Sequence, residues 1–293
     1  MSPKRPRIVV FAYSEVGYAC LDLLISRGAN IAAVFTHRDD PHEQRWFRSV
    51  PELAESHGLT VFYDQKTGTQ EWLEKFRNEI EPELILSFYY RKMISTQVLK
   101  LAWLGAFNMH GSYLPKYRGK APVNWAVLNG ESFTGTTLHH MVQEPDAGDI
   151  VDQEKVPIGP EDSALHVMTR VVEASRLVLD RQLKALLSGT APRMVQDHSQ
   201  ATYYGGRGPE DGRIDWAWPS SRIFNLVRAV TRPYPGAFAD FPDGRRLKVW
   251  WAKPLDLSSA PGTITSTVPL VIAAGEGALE ITDYEWTSTP ARG

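Results

Sequence analysis

Asn108-Met109-His110 is the triplet whose types and spacing most directly suggest chemistry. It ends the apolar run Gly105-Ala106-Phe107, which reads as a strand, and alternate side chains of a strand share a face. Asn108 and His110 therefore point the same way. A carboxamide N–H can stabilise a developing oxyanion, and an imidazole moves protons near neutral pH. The pair suits a reaction that passes through a tetrahedral adduct. A strand end closed by a mutually satisfied polar pair is the plain structural alternative.

A carboxylate could complete the group. Glu144-Pro145-Asp146-Ala147-Gly148-Asp149 is an acidic, glycine-containing turn. A carboxylate reaching His110 would favour the charged imidazole and fix its tautomer; an ordinary acidic turn is the alternative. Between the two segments, Gly111 to Pro122 holds two prolines, two glycines and the basic residues Lys116, Arg118 and Lys120. Ordered loops of this kind often hold polar or anionic ligands, although a surface crossover would look similar. His110, His139, His140, Asp146 and Asp149 could ligate a metal, but no H-x-x-x-H or C-x-x-C spacing occurs, so no metal is expected. His139 and His140 are adjacent and face opposite sides of a strand, so at most one joins a site.

The elements that must position these residues alternate. Apolar runs at 7–13, 31–35, 59–62, 84–88 and 105–110 read as buried strands, with helices over 16–27, 49–57 and 70–80 between them. That order gives a parallel sheet of βαβ units, whose ligands bind beyond the carboxyl ends of the strands. The first strand–helix turn, Phe11 to Gly17, lacks G-x-G-x-x-G and contains only Gly17, so no nicotinamide cofactor is expected. A short helix follows Pro122, strands are expected at 134–142 and 150–156, and a long helix at 162–188. Residues 190–205 are a polar linker, continuing glycine-rich to about 215. A helix at 219–230 and strands at 236–241, 247–252, 262–266, 270–273 and 278–282 suggest a small β-barrel, with a loose tail from Thr287 to Gly293. The expected domains are 1–189 and 206–293, joined by the linker.

Composition narrows the function classes. The chain has 293 residues, a formal net charge of −2 and a single cysteine, Cys20. No internal disulfide is possible, which fits a cytoplasmic setting. No signal-peptide core is present, and no run approaches the roughly 18 apolar residues of a membrane span. A protein gripping a nucleic-acid backbone usually carries a basic surplus, so a small-molecule substrate is expected, with neither nucleic acid nor membrane as partner.

Taken together, Asn108-Met109-His110-Gly111-Ser112, Leu114-Pro115-Lys116-Tyr117-Arg118-Gly119, Ala121-Pro122 and Asp146-Ala147-Gly148 resemble the N10-formyltetrahydrofolate-dependent formyltransferase family. The separation of Asn108 from Asp146 fits as well. Within it, Val10-Phe11-Ala12-Tyr13, Phe35-Thr36-His37, Ser87-Phe88-Tyr89-Tyr90-Arg91 and Arg228-Ala229-Val230 leading to Pro235-Gly236-Ala237-Phe238 are most similar to ArnA-type formyltransferase domains, which formylate UDP-4-amino-4-deoxy-L-arabinose. The decarboxylating dehydrogenase domain of ArnA has no counterpart in this sequence. The chain is therefore expected to be a free-standing homologue or the front part of something longer.

The resemblance implies an α/β fold: a Rossmann-like parallel-sheet domain followed by a small OB-like β-barrel domain. It implies that Asn108 stabilises the oxyanion, His110 transfers protons and Asp146 favours the protonated imidazole. It places the folate against Lys92, Met93 and Ile94 and against Val142, Gln143, Glu144, Pro145 and Asp146. Lys120 would lie nearby, where the family often has arginine; lysine keeps the charge but loses the bidentate fork. The formyl donor would be N10-formyltetrahydrofolate, without a metal, and the acceptor a primary amine on a nucleotide-linked amino sugar. The ArnA likeness adds lipid A modification and antibiotic resistance, and a homo-oligomer is possible. Arg207 and Arg232 are candidates for a diphosphate, or plain surface arginines. Other acceptors fit the same chemistry: initiator methionyl-tRNA, an amino acid such as hydroxyornithine, or water in a formate-releasing hydrolase. A folate-binding module without catalysis is the reading from another class.

Overall fold

A computed structural model of the chain describes residues 5–38, 45–63 and 65–289. The amino-terminal strands are β1 (Arg7–Ala12), β2 (Asn30–Thr36), β3 (Val61–Tyr63), β4 (Leu84–Phe88) and β5 (Ala106–His110). Between them run α1 (Ser14–Ser26), α2 (Val50–Ser56), α3 (Gln70–Lys75) and α4 (Thr96–Leu99). After the two-residue strand β6 (Arg118–Gly119) come α5 (Pro122–Leu128), β7 (Phe133–His140), β8 (Ile150–Pro157) and α6 (Ala164–Ser188). The remainder comprises β9 (Tyr203–Tyr204), α7 (Ser220–Val230), β10 (Ala237–Asp240), β11 (Arg245–Leu255), β12 (Ile264–Thr267), β13 (Leu270–Ala273) and β14 (Ala278–Ser288).

Seven strands form one sheet in the order β3-β2-β1-β4-β5-β7-β8. Neighbours from β3 to β5 are parallel, whereas β7 pairs antiparallel with β5. The parallel strands are apolar because both faces are covered: Ile8 to Ala12 and Leu84 to Leu86 are fully buried. Phe11 stacks on Phe35 at 4.7 Å, and Phe35 on Phe76 at 5.2 Å, filling one face with aromatic surface. The helix expected over 70–80 changes character at Phe76, where Phe76–Ile80 form a wide π turn. That turn keeps Phe76 and Ile80 both in the core. It closes at Glu81, left-handed at φ 48, whose N–H donates to the Phe76 carbonyl at 2.8 Å. At the first strand–helix turn, a Cβ on Gly17 would lie 3.2 Å from Ala12 Cβ and from the Phe88 carbonyl oxygen. This glycine serves helix-on-strand packing.

The carboxyl-terminal sheet is antiparallel, in the order β10-β11-β14-β13-β12. Strands β11 and β14 run on well past their expected limits and are long enough to coil, with register shifts around Trp251. Strand β14 continues through Thr287 and Ser288, part of the expected tail; residues 290–293 lie outside the described residues. Apolar residues of α7 (Ile223, Leu226, Val227) and of the sheet (Leu247, Val249, Ile272, Leu279) are buried. Asn124 on α5 donates to the Ala229 carbonyl on α7 at 2.8 Å. Arg228, almost fully buried, donates to the carbonyls of Gly159 and Asp162.

Among the described residues, compactness divides the chain differently from a single cut near residue 190. One unit comprises Met1–Gly119, Thr134–Val156 and Thr169–Tyr203; the other comprises Lys120–Phe133, Pro157–Met168 and Tyr204–Gly293. The stretch read as a polar linker belongs largely to the first unit: Met194 pairs with Ile150 through two backbone hydrogen bonds, and Gln196 is 3% exposed. Among the described residues no helix is long and apolar enough to cross a membrane.

Candidate active site

Strand β5 ends in Asn108 and His110, and β7 runs back beside it. The antiparallel register sets Asn108 opposite His139 and His110 opposite Thr137. Directly opposed side chains in such a pair are in contact range, and Asn108 Nδ2 donates to His139 Nε2 at 3.2 Å. His139 Nδ1–H donates to the His140 carbonyl at 2.9 Å. That bond fixes the ring so that Nε2 is the atom turned towards Asn108. His140 turns the other way, towards the Pro192 carbonyl at 2.9 Å and the Phe107 ring. Only one histidine of the adjacent pair thus joins the group, as strand alternation requires.

His110 is 7% exposed. Its Nε2–H donates to the Tyr117 carbonyl at 2.8 Å, and its Nδ1 faces Asp146 Oδ1 at 3.5 Å. The same carboxylate oxygen lies 3.6 Å from His139 Nε2. Asp146 Oδ2 accepts the Gly119 N–H at 2.9 Å. Burial opposes ionisation of Asp146, but the charge on His110, the contact with His139 and the Gly119 N–H outweigh it and hold the carboxyl well below the usual range.

The loop carrying Asp146 is shaped by its backbone. Asp146 is left-handed at φ 56, which an aspartate tolerates better than most residues. A Cβ on Gly148 would sit 1.9 Å from the His140 carbonyl oxygen, so only glycine lets this turn close against β7. Thr137 holds the other side of the site: its hydroxyl donates to the Ser112 carbonyl at 2.7 Å and accepts the Leu114 N–H at 3.1 Å.

The structure therefore brings Asn108, His110 and Asp146 together and adds His139, which the sequence offered only as a possible metal ligand. No sequence signal assigns it, because its place across the ladder from Asn108 is set by the register of β5 and β7. Lys92, Met93 and Ile94 line a cavity of about 430 Å³ together with Ser95 and residues 65–69. Val142, Gln143, Glu144 and Pro145 form an exposed segment running into Asp146. Lys120 is exposed in the second compact unit, its N–H on the Tyr204 carbonyl at 3.0 Å. Arg207 lies over the Trp125 ring at 4.5 Å, and Arg232 is paired with Asp283 at 2.6 Å. Asp149 turns to Arg193 at 3.2 Å. Among the described residues no three His, Cys, Asp or Glu side chains are grouped as metal ligands.

Residues 6–183 match the family model described as formyl transferase, and residues 208–290 match its carboxyl-terminal domain. The chain belongs to the formyl transferase family. Solved structures share its fold at low identity. An N-formyltransferase from Helicobacter canadensis, in complex with folinic acid and dTDP-3-aminofucose, is 18% identical with a TM-score of 0.74, covering 95% of this chain and 99% of that one. A sugar N-formyltransferase from Shewanella sp FDAARGOS_354 is 18% identical with a TM-score of 0.65, covering 83% and 95%. HypX from Aquifex aeolicus, in complex with tetrahydrofolic acid, is 19% identical with a TM-score of 0.67, covering 96% of this chain but 44% of that one. As a formyl transferase, the chain carries its buried amide–imidazole–carboxylate group wholly within the part matched by the amino-terminal model.

Proposed function

We propose that this formyl transferase moves a formyl group from N10-formyltetrahydrofolate to the primary amine of a nucleotide-linked amino sugar. The observation that carries the reading is the convergence of Asn108, His110 and Asp146 where β5 ends. A neutral amine attacks the formyl carbon, and a C–N bond forms. One N–H of Asn108 is held by His139, and the other donates to the developing oxyanion. His110 gives its Nε2 proton to the departing folate nitrogen as the old C–N bond breaks, and the proton shed by the attacking amine nitrogen takes its place. The Nε2 proton rests on a neutral carbonyl and is the one exchanged, whereas Nδ1 faces Asp146.

The cavity beside Lys92, Met93 and Ile94 supports seating the folate there. Its volume lies in the range of small-ligand sites, its wall offers apolar surface, and Lys66 and Lys92 can meet the folate carboxylates. The exposed Val142–Pro145 segment is the second wall of this proposal. The sugar acceptor is supported by the Helicobacter and Shewanella enzymes of like fold, and UDP-4-amino-4-deoxy-L-arabinose by the ArnA-like segments. Arg207, half-buried against Trp125, is a candidate for the nucleotide phosphates.

A charged polynucleotide acceptor has less support. Arg213 and Arg246 share Asp240 at 2.8 and 2.6 Å, Arg245 pairs with Asp243 at 2.7 Å, and Arg232 is likewise matched. These pairs neutralise the arginines on the carboxyl-terminal sheet, and counterion release needs free cations. The test is a screen of UDP-, GDP- and dTDP-linked amino sugars with N10-formyltetrahydrofolate, read as the mass gain of one formyl group. Formylation of initiator methionyl-tRNA with none of the sugars modified would overturn the reading.

A further inference from the structure

Arg118 is 1% exposed, yet none of the ion pairs among the described residues includes it. Its guanidinium donates to three neutral acceptors: Tyr203 Oη at 2.6 Å, Gln196 Oε1 at 2.7 Å and His198 Nδ1 at 3.0 Å. Its Nε is buried without a partner. A charge held this way is costly to bury, and besides these bonds it has the face of the Tyr203 ring at 5.4 Å. Arginine can donate but not accept. Facing Gln196, it forces the amide oxygen towards itself and the amide nitrogen to the opposite side. Both N–H groups of Gln196 then meet the loop of the site carboxylate: one donates to the Asp146 carbonyl at 2.8 Å, the other to the Gly148 carbonyl at 2.7 Å. The same arginine acts through its backbone. Its N–H is fixed on the Thr202 carbonyl at 2.8 Å, and the next residue, Gly119, donates to Asp146 Oδ2 at 2.9 Å.

We propose that Arg118 and Gln196 are positioning residues, a buried strut that sets the left-handed Asp146 turn and thereby aims its carboxylate at His110 and His139. The inference rests on the proposed role of Asp146 in formyl transfer. Neither residue touches the reacting atoms. Each acts through the aspartate, so their loss affects turnover rather than substrate affinity.

Gln196→Glu separates positioning from packing. It keeps the volume and turns the Arg118 contact into an ion pair, but removes both N–H donors to the Asp146 loop. The expected result is a folded protein whose Tm falls by a few degrees at most, since the new Arg118 ion pair offsets part of the two lost hydrogen bonds, with KM for both substrates within about twofold of wild type and kcat down about tenfold or more, since small misplacements of catalytic groups cost that much. Arg118→Lys, which keeps the charge but loses the fork, should lower kcat in the same way. A readout independent of turnover is the 15N signature of the His110 and His139 rings. Gln196→Glu should move these resonances in the direction that Asp146→Asn moves them. Histidine spectra superimposable on wild type, or kcat retained in a folded Gln196→Glu protein, would overturn the inference. Ring shifts in Gln196→Glu, found together with a wild-type protein that transfers no formyl group, would overturn the proposed function and leave the strut standing.

Discussion

Replacing Asp146 by Asn removes one charge while keeping the shape of the side chain and an acceptor for the Gly119 N–H. The effect can be sized from the geometry. Asp146 Oδ1 is 3.5 Å from His110 Nδ1, and the side chain is 13% exposed. Opposite unit charges at that separation attract by about 5 kcal/mol at an effective dielectric of about 20. Part of this is offset by the cost of keeping a carboxylate buried, which leaves about 3–4 kcal/mol for holding the His110 imidazolium that serves as proton donor. That corresponds to a fall in kcat of about 10²- to 10³-fold. The assay is tetrahydrofolate release under saturating donor and acceptor, with circular dichroism to verify the fold. KM values should change little, since Asp146 is placed to serve the histidine rather than either substrate. A folded Asp146→Asn protein with kcat within about threefold of wild type would refute the electrostatic role.

Other expectations follow from the same geometry. His110→Ala and Asn108→Ala should each lower turnover by about 10²–10³, the cost of losing a proton carrier or an oxyanion donor, in single-turnover measurements. His139→Ala frees the Asn108 amide to rotate and should cost about tenfold in kcat with little change in KM. Gly148→Ala drives a Cβ to 1.9 Å from the His140 carbonyl oxygen and should cost at least about 1–3 kcal/mol, read as a lowered Tm together with lost activity. Stability should also report the depressed Asp146 carboxyl. An ionised group stabilised by folding contributes fully above its unfolded pKa of about 4, and that contribution is lost as pH falls towards the folded value. Tm of wild type should therefore exceed that of Asp146→Asn at neutral pH, and the gap should narrow below about pH 4.

The sheet was legible because its order is local. Apolar runs such as Ile8–Ala12 and Leu84–Phe88 alternate with helix-spaced segments, and each βαβ step needs only its own residues. Asn108 and His110 could be placed on one face from strand alternation alone. His139 could not be assigned to Asn108, because their pairing depends on the antiparallel register of β5 and β7 across 31 residues. Arg118 reads as an exposed loop arginine, and its burial is set by Gln196, 78 residues away, in a stretch whose polarity suggests a linker. Strands β11 and β14 were read too short because their outer halves carry exposed polar residues such as Arg245, Asp283 and Glu285, and pairing with each other sustains them. In each case the missing information is long-range: which segment covers a polar side chain decides whether it is a surface group or part of the site.

The most direct measurement is the stoichiometry of transfer. Protein, N10-formyltetrahydrofolate labelled with 13C in the formyl group, and a UDP-linked 4-amino sugar are combined, and tetrahydrofolate and N-formyl product are quantified together. The expected result is one labelled formamide for each tetrahydrofolate released, with both abolished in His110→Ala. Tetrahydrofolate released with free formate and no formamide, or a rate untouched by His110→Ala, would contradict formyl transfer at the Asn108–His110–Asp146 centre.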